Sequence, residues 1–309
     1  WDKFGEGGFK KLVSEGFNCR NNHYNYVPTY TGPGHASIFS GAAPETHGII
    51  SNNWYNKFED QVIYCVSDPE MRSIGTKSDA GQMSPHRLLT TSVADENRLH
   101  TQMRGKTIGI ALKDRGAILP AGHTANAAFW FHGQDEGKWI TSSFYADALP
   151  QWVKKFNASG KADSYMKKWE PLYDLNTYVE SGSDINDFEG GFEGKKDTGF
   201  PYDLPKLKKK NGGYDLLKAT PFGNDLTADF AIAAIEGENL GQDDITDFLT
   251  VSFSSTEYVG HNLGVNSKEI ECTYLRLAKD IKKISEALTV YVRECKHQFS
   301  LREASDGFR

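Results

Sequence analysis

The sequence predicts an α/β fold with a mostly parallel central sheet flanked by helices. Residues 106–112 (KTIGIAL) and 247–254 (DFLTVSFS) are short apolar runs rich in β-branched or aromatic residues, the pattern of strands buried on both faces. Helical periodicities lie between and after them, and alternating strand and helix builds a parallel sheet. Each run passes at once into polar residues, and in open α/β sheets ligands gather at the carboxyl ends of strands.

The helices follow from spacing. Residues 7–15 place Phe9, Leu12 and Val13 on one face and close on Gly16, a C-cap residue. Residues 226–235 repeat Leu226, Phe230 and Ala233, with Asn224 and Asp225 positioned as caps. After Asn266, Ile270, Tyr274, Leu277, Ile281, Ile284 and Leu288 alternate at spacings of four and three, and Asn266 with Glu269 forms a capping box. Residues 161–223 are dense in Gly, Asp, Lys, Trp and Tyr with little periodicity. They predict a loop-rich cap or insertion on one domain spanning 1–309, since their aromatic content is high for a disordered segment. The run Lys208–Lys210 reads as a solvated turn, and no internal repeat is found.

Composition narrows the function classes. The chain has 309 residues, 38% hydrophobic and 25% charged, an ordinary globular balance that needs no disulfide staples. A net charge of −6 argues against nucleic acid or an anionic membrane as the main partner. An anionic substrate must then be drawn by a few local cations. No apolar stretch is long enough to span a bilayer, and the first residues, WDKFGEGG, carry no signal-peptide core. Cys19, Cys65, Cys272 and Cys295 show no CxxC spacing, so neither a zinc ribbon nor a redox pair is indicated, and one or two disulfides stay open.

Three segments carry chemistry. In NYVPTYTGPGHASIFSGAAPETHGIISNNWY (25–55), Gly32-Pro33-Gly34 opens a short helix that ends at Gly41, with Pro33 suited to its first turn. Thr31 stands at or just before that helix start, where free N–H groups and the positive dipole end favour a phosphate or a developing alkoxide. On spacing alone, an N-cap threonine is the commoner reading. His35 and His47 read as hydrogen-bonding residues that hold the turn, not as metal ligands. After the first strand, LKDRGAILPAGH (112–123) places Lys113 and Arg115 two apart in an extended turn. Such a pair suits a phosphate dianion, because arginine grips two oxygens in a fork while lysine adds a point charge. The plainer alternative is a charged turn at a strand end, and Asp114 and His123 are assigned to local structure. After the second strand, SSTEYVGHNLG (254–264) sets Glu257 and His261 four apart, so both could reach one metal ion. A capped turn with an incidental histidine is about as common on spacing.

Taken together, Thr31 in T-x-P-x-H, then P-E-T-H-G-I, then N-N-W, resemble the nucleophile region of the alkaline phosphatase superfamily. That pattern is shared by nucleotide pyrophosphatase/phosphodiesterases and phosphate-irrepressible alkaline phosphatases. The segment LKDRGAILPAGH resembles the cationic clamp of the latter, which the phosphodiesterases lack. The resemblance implies a zinc-dependent phosphate monoester hydrolase, an alkaline phosphatase, located in the periplasm or secreted. In it Thr31 would attack phosphorus to form a phosphothreonine, which a zinc-bound hydroxide hydrolyses, while Asn52, Lys113 and Arg115 bind the phosphoryl oxygens. It also implies two Zn2+ ions, with Thr31, Glu257 and His261 among their ligands. Where the family reads D-x-x-G-H this chain has Glu257, whose extra methylene moves the oxygen by about a bond length against ligand tolerances of ~0.2 Å. Two further family segments, an aspartate on an earlier strand and a downstream A-D-H-G, have no match here, so the chain is expected to be a fragment, incomplete at both ends, with an unmatched tail over 291–309. The alternatives are a phosphodiesterase or nucleotide pyrophosphatase, which the Lys113/Arg115 pair argues against, and an inactive phosphate-binding fragment. An arylsulfatase would need cysteine or serine at the position of Thr31.

Overall fold

A computed structural model describes residues 1–292, 298 and 300. In chain order its strands are β1 (Asn53–Asn56), β2 (Gln61–Tyr64), β3 (Ser73–Ile74), β4 (Thr107–Ala111), β5 (Ala127–His132), β6 (Lys138–Ser142), β7 (Lys168–Trp169), β8 (Tyr202–Asp203) and β9 (Phe248–Ser252). The helices that bear on function are α1 (Thr31–Ser40), α2 (Val93–His100), α3 (Asp114–Ala121), α4 (Pro221–Gly237), α5 (Ser255–Leu263) and α6 (Lys268–Tyr291).

The central sheet runs β3-β6-β5-β4-β9. Its heart is parallel, as expected: Ile108 of β4 faces Ala127 of β5 on one side and Leu249 of β9 on the other. The rest makes the sheet mixed, because β6 returns antiparallel beside β5, with Phe131 opposite Trp139, and β3 adds antiparallel to β6. Only five residues separate β5 from β6, enough for a hairpin and too few for the crossover a parallel pair needs.

Alternate residues of β4 and β5 serve two cores. Ile108, Ile110, Phe129 and Phe131 join Leu226, Phe230 and Ala234 of α4 on one face. Ala111, Ala128 and Trp130 join Ala117, Ile118 and Ala121 of α3, with Ala36 of α1, on the other. Burial on both faces is why β4 reads as an unbroken apolar run. Gly109 is required there, since a Cβ at that position would stand 2.2 Å from the carbonyl oxygen of Ala117. Phe230 anchors the first core by stacking on Trp139 at 4.1 Å between ring centroids, a geometry that adds to the area each ring buries.

Several helix boundaries differ from the spacing argument. Helix α4 starts five residues before Leu226, with Pro221 in its first turn and Thr220 at the N-cap. Asn224 and Asp225 are therefore interior, and Asn224 accepts a bond from the Ser255 N–H. Helix α6 is capped by Ser267, whose side chain accepts from the Ile270 N–H, rather than by Asn266. Glu269 is buried and makes no capping box. Ile270, Leu277, Ile281 and Ile284 of the expected stripe are buried, while Tyr274 lies exposed and Leu275 beside it is buried instead. The first helix splits into a π-helical turn (Glu6–Lys10) and a short α-helix (Lys11–Glu15) that ends on Gly16. At residues 7–15 Gly8, not Val13, makes the close approach, since a Cβ there would meet the Ala278 carbonyl oxygen of α6 at 2.2 Å.

Residues 161–223 hold short helices and the β7–β8 ladder, and their buried Trp169, Phe192, Tyr202, Leu204 and Leu207 belong to the core that α4 and α6 share. Lys208–Lys210 forms a 3₁₀ turn without a buried residue. Cys19, Cys65 and Cys272 are free thiols, so no disulfide joins the described cysteines, and Cys295 lies outside the described residues. The tail expected over 291–309 lies almost wholly outside them too.

Candidate active site

The sheet brings the second and third segments together. Ala111, last residue of β4, pairs with Ser252, last residue of β9. The polypeptide leaving each strand turns into a helix, α3 or α5, on the same edge of the sheet. Lys113 is the extended residue (φ −98°, ψ 133°) just before α3, and Arg115 lies in that helix's first turn. The extended turn expected around them is thus a strand-to-helix junction. Glu257 falls in the first turn of α5 and His261 one turn later.

Helix α1 packs its N-terminus against this edge. His35 fixes it: its Nδ1 bonds the Thr31 carbonyl at 2.8 Å and its Nε2 pairs with Ser252 Oγ at 3.1 Å. A ring nitrogen facing a carbonyl must donate, so Nε2 accepts the Ser252 hydroxyl and the imidazole is neutral. Burial drives its pKa down to about 4, against the raising pull of the Thr31 carbonyl. His47 plays a similar part, bonded to Ser37 Oγ and accepting from the Ile49 N–H. Both histidines spend their ring nitrogens on hydrogen bonds around the turn.

Thr31 is 3% exposed and occupies the first position of α1, with Tyr30 as a capping residue that offers no side-chain bond. The N–H donors expected to face an anion are largely committed. Gly32 N–H donates to Asn52 Oδ1 at 2.7 Å, Pro33 has none, and Gly34 N–H bonds the Tyr30 carbonyl. The helix dipole remains, but donors for a phosphoryl group must come from side chains. Asn52 spends its Oδ1 on Gly32, which leaves the amide Nδ2 as its donor for a ligand.

Four of the six predicted side chains converge. Thr31 Oγ1 donates to Glu257 Oε1 at 3.2 Å, with Oε2 at 3.5 Å. Lys113 Nζ lies 2.7 Å from Glu257 Oε2, and His261 Nε2 lies 3.5 Å from Glu257 Oε1. Burial works against the charge on Glu257, but Lys113, Arg115 and Thr31 outweigh it and hold the carboxyl below its usual range. Burial also lowers the pKa of Lys113, more than Glu257 raises it. An ion pair at this distance nonetheless keeps both charges, since either alone would be buried unpaired. Arg115 and Asn52 complete the ring of residues. The Nη1 of Arg115 donates to the Tyr64 hydroxyl oxygen at 2.8 Å, and its buried Nε–H has no hydrogen-bond partner. Asp114 accepts from the Tyr64 hydroxyl and sits 3.9 Å from Arg115. An orphaned guanidinium donor beside an ammonium is what an oxyanion would satisfy.

Two contributors escaped the sequence reading. Tyr64, at the end of β2, aligns Arg115. Tyr258 places its ring centroid 4.5 Å from Lys113 Nζ, a cation–π contact that helps offset the burial of that lysine. The position of Tyr258 next to Glu257 was a signal available in the sequence, whereas nothing local links Tyr64 to a residue fifty positions on.

The resemblance implies two metal ions at this site. Among the described residues no group of three or more His, Cys, Asp or Glu could hold a metal. At this site Glu257, His261 and the Thr31 hydroxyl are the available donors, and one Glu257 oxygen is engaged by an ammonium. Two zinc ions need three or four ligands each. The described residues do not fit a two-ion centre.

The profile of the family described as type I phosphodiesterase / nucleotide pyrophosphatase matches residues 1–291. A protein named calcium-transporting ATPase from Myroides odoratus is 49% identical over 91% of this chain and 52% of its own length. Alkaline phosphatase PafA from Elizabethkingia meningoseptica is 47% identical over 91% of this chain and 52% of its own. The crystal structure of wild-type alkaline phosphatase PafA superposes with a TM-score of 0.91 at 46% identity, covering 94% of this chain and 56% of that one. A solved variant of PafA, with a threonine, an asparagine, a lysine and an arginine replaced together, matches equally well at 44% identity. The chain spans about half the length of the curated relatives it matches. The α/β fold and the sequence identity over nearly the whole chain place it in the type I phosphodiesterase / nucleotide pyrophosphatase family of the alkaline phosphatase superfamily.

Proposed function

We propose that this site serves phosphate monoester hydrolysis with Thr31 as nucleophile. The observation that carries the reading is the meeting of three chain segments on one carboxylate, where Glu257 accepts from Thr31 Oγ1 at 3.2 Å and pairs with Lys113 Nζ at 2.7 Å. Thr31 Oγ attacks phosphorus as its proton passes to the Glu257 carboxylate it already bonds, the P–O ester bond breaks, and the leaving oxygen takes a proton from water to depart as the alcohol. A phosphothreonine results, and water returns the hydroxyl and releases phosphate. Lys113 and Arg115 offset the charge that builds on the phosphoryl oxygens, and the Asn52 amide orients one of them. The PafA variant mentioned above changes the same four residue types, in the same chain order, as Thr31, Asn52, Lys113 and Arg115, which supports grouping them.

Metal ions are general to alkaline phosphatases, and a metal at this site would touch Thr31, Glu257 and His261 and supply Lewis-acid polarisation of the phosphoryl group. Zinc as that ion rests on the resemblance, as does a periplasmic or secreted location. No described helix is long and apolar enough to cross a membrane. We also read residues 1–309 as part of one domain, with 161–223 as a cap. Its loop clasps α5 where Gly190 N–H bonds the Asn262 carbonyl and Asn262 Nδ2 bonds the Gly191 carbonyl, next to His261.

The test compares p-nitrophenyl phosphate with bis-p-nitrophenyl phosphate. We expect faster turnover of the monoester and loss of that turnover in Thr31→Ala. A preference for the diester would overturn the use of Lys113 and Arg115 as a dianion clamp. Monoester turnover unaffected in Thr31→Ala would remove the nucleophile.

A further inference from the structure

The β1–β2 hairpin joins two of the proposed phosphoryl contacts. It leaves the site at Asn52 and returns to it at Tyr64, with Asn53 opposite Tyr64 in the ladder and the Cys65 N–H bonded to the Asn52 carbonyl at 2.9 Å. At the returning end, Tyr64 stands between two opposite charges. Its hydroxyl donates to Asp114 Oδ1 and accepts from Arg115 Nη1 at 2.8 Å, using its one O–H and one of its lone pairs. Asp114 Oδ1 also accepts the Arg115 backbone N–H at 2.6 Å. The carboxylate and the guanidinium are left 3.9 Å apart, and the Nε–H of Arg115 stays without a partner. Burial and the Asp114 carboxylate push the pKa of Tyr64 well up, so its hydroxyl remains a donor. None of these contacts involves Thr31, Glu257 or His261, the residues a metal would touch.

We propose that Tyr64 is a positioning residue for phosphoryl binding: its hydroxyl occupies Asp114, so the guanidinium of Arg115 keeps its other donors for the phosphoryl group. The inference rests on the assignment of Arg115 to that group made above. A bidentate arginine–carboxylate pair is among the strongest charge-assisted contacts, and Asp114 shares the first turn of α3 with Arg115. Paired in that way, Arg115 would turn two donors away from the phosphoryl oxygens and spend its charge on a neighbour. The hydroxyl between them keeps a neutral group on the Nη1 edge and fixes the direction of that edge. The ring contributes separately, since the Arg115 Cζ lies 5.8 Å from its centroid, within cation–π range. Tyr64→Phe therefore removes the spacer and keeps the ring.

Isothermal titration calorimetry with inorganic phosphate, on the chain as purified and without chelator, tests the idea. The proteins are the wild type, Tyr64→Phe, Arg115→Ala, the double variant of these two, and Tyr64→Phe combined with Asp114→Asn. We expect Tyr64→Phe to bind phosphate about tenfold more weakly and to add nothing to the loss in Arg115→Ala. Asp114→Asn should restore most of the affinity lost in Tyr64→Phe, because a neutral amide does not compete for the guanidinium. A residue that only supported the fold would show neither the missing additivity nor the rescue. Circular dichroism checks folding. Should Tyr64→Phe not fold, Tyr64→Met, which also lacks the hydroxyl, is expected to show the same loss and the same rescue. Unchanged affinity in Tyr64→Phe, a full further loss in the double variant, or no rescue by Asp114→Asn would overturn the proposal and leave the clamp standing. Phosphate binding unchanged in Arg115→Ala, or absent from the wild type, would instead overturn the reading of Arg115 as a phosphoryl contact on which it rests.

Discussion

Two glutamates, one half-buried and one fully buried, twelve residues apart in sequence, end in opposite electrostatic states. Glu257 sits in the first turn of α5 with a side chain 21% exposed, and Lys113 holds its charge in place at 2.7 Å. Glu269 sits in the first turn of α6, is 0% exposed, and has the Tyr202 hydroxyl on Oε1 and no partner on Oε2. Burial pushes its pKa up to about 8, with Glu189 and Asp184 adding to the rise against the Tyr202 bond. Both enjoy the same helix-dipole advantage, so position in a helix does not separate them. A cation does: Lys113 keeps Glu257 ionised, whereas burial, with no described cation beside it to oppose it, favours the neutral form of Glu269.

The widest test of that contrast removes the cation. Lys113→Ala leaves Glu257 buried without its partner and takes a donor from the phosphoryl oxygens. We expect monoester turnover to fall by about a thousandfold, together with lower thermal stability. Turnover within a few-fold of the wild type would break the comparison, since Glu257 would then need no cation.

Next in size is the acid without one. A folded-state pKa raised from 4.5 to about 8 means Glu269 contributes stability that is fully present below the unfolded value and is lost as pH rises through about 8. The wild type should lose up to ~5 kcal/mol between these limits from this residue. Glu269→Gln should flatten that alkaline slope in denaturant unfolding measured from pH 5 to 9. An unchanged slope would show that Glu269 is ionised in the folded protein.

His47 supplies the mirror case. Burial lowers its pKa from 6.5 to about 4, so its contribution is present above 6.5 and lost as pH falls toward 4, by ~3 kcal/mol. In His47→Gln the difference in melting temperature between pH 7 and pH 4.5 should shrink, whatever the variant loses at neutral pH. The smallest effect concerns α6 itself. Ser267→Ala removes the cap bond to the Ile270 N–H and should cost about 1 kcal/mol. That loss should lower stability equally across pH, leaving the titration of Glu269 untouched.

Part of this arrangement could be read from residues in a row. β4 and β9 were legible because both faces of each are buried, which makes an unbroken apolar run. Thr31, Lys113 and Glu257 were legible because each follows a strand or opens a helix. β5 and β6 were not read: AAFWFH and KWITS mix aromatic and polar residues, and only their hairpin pairing explains them. Helix α3 was missed too, since Pro120 and two glycines border or interrupt its short span. The caps at Asn224 and Asn266 were placed by residue type alone, while Thr220 and Ser267 won by the geometry of the chain entering each helix.

By itself, the sequence determined the residue types available for phosphoryl chemistry, their order, and their places at element ends, because turn chemistry and apolar periodicity are local properties. Tertiary structure decided what each of them faces. Parallel pairing of β4 with β9 put Lys113 on Glu257, and packing of α1 through His35 put Thr31 on the same carboxylate. The charge of a buried group depends on neighbours that are distant along the chain, and for this reason two glutamates that look alike in sequence carry a clamp in one case and a proton in the other.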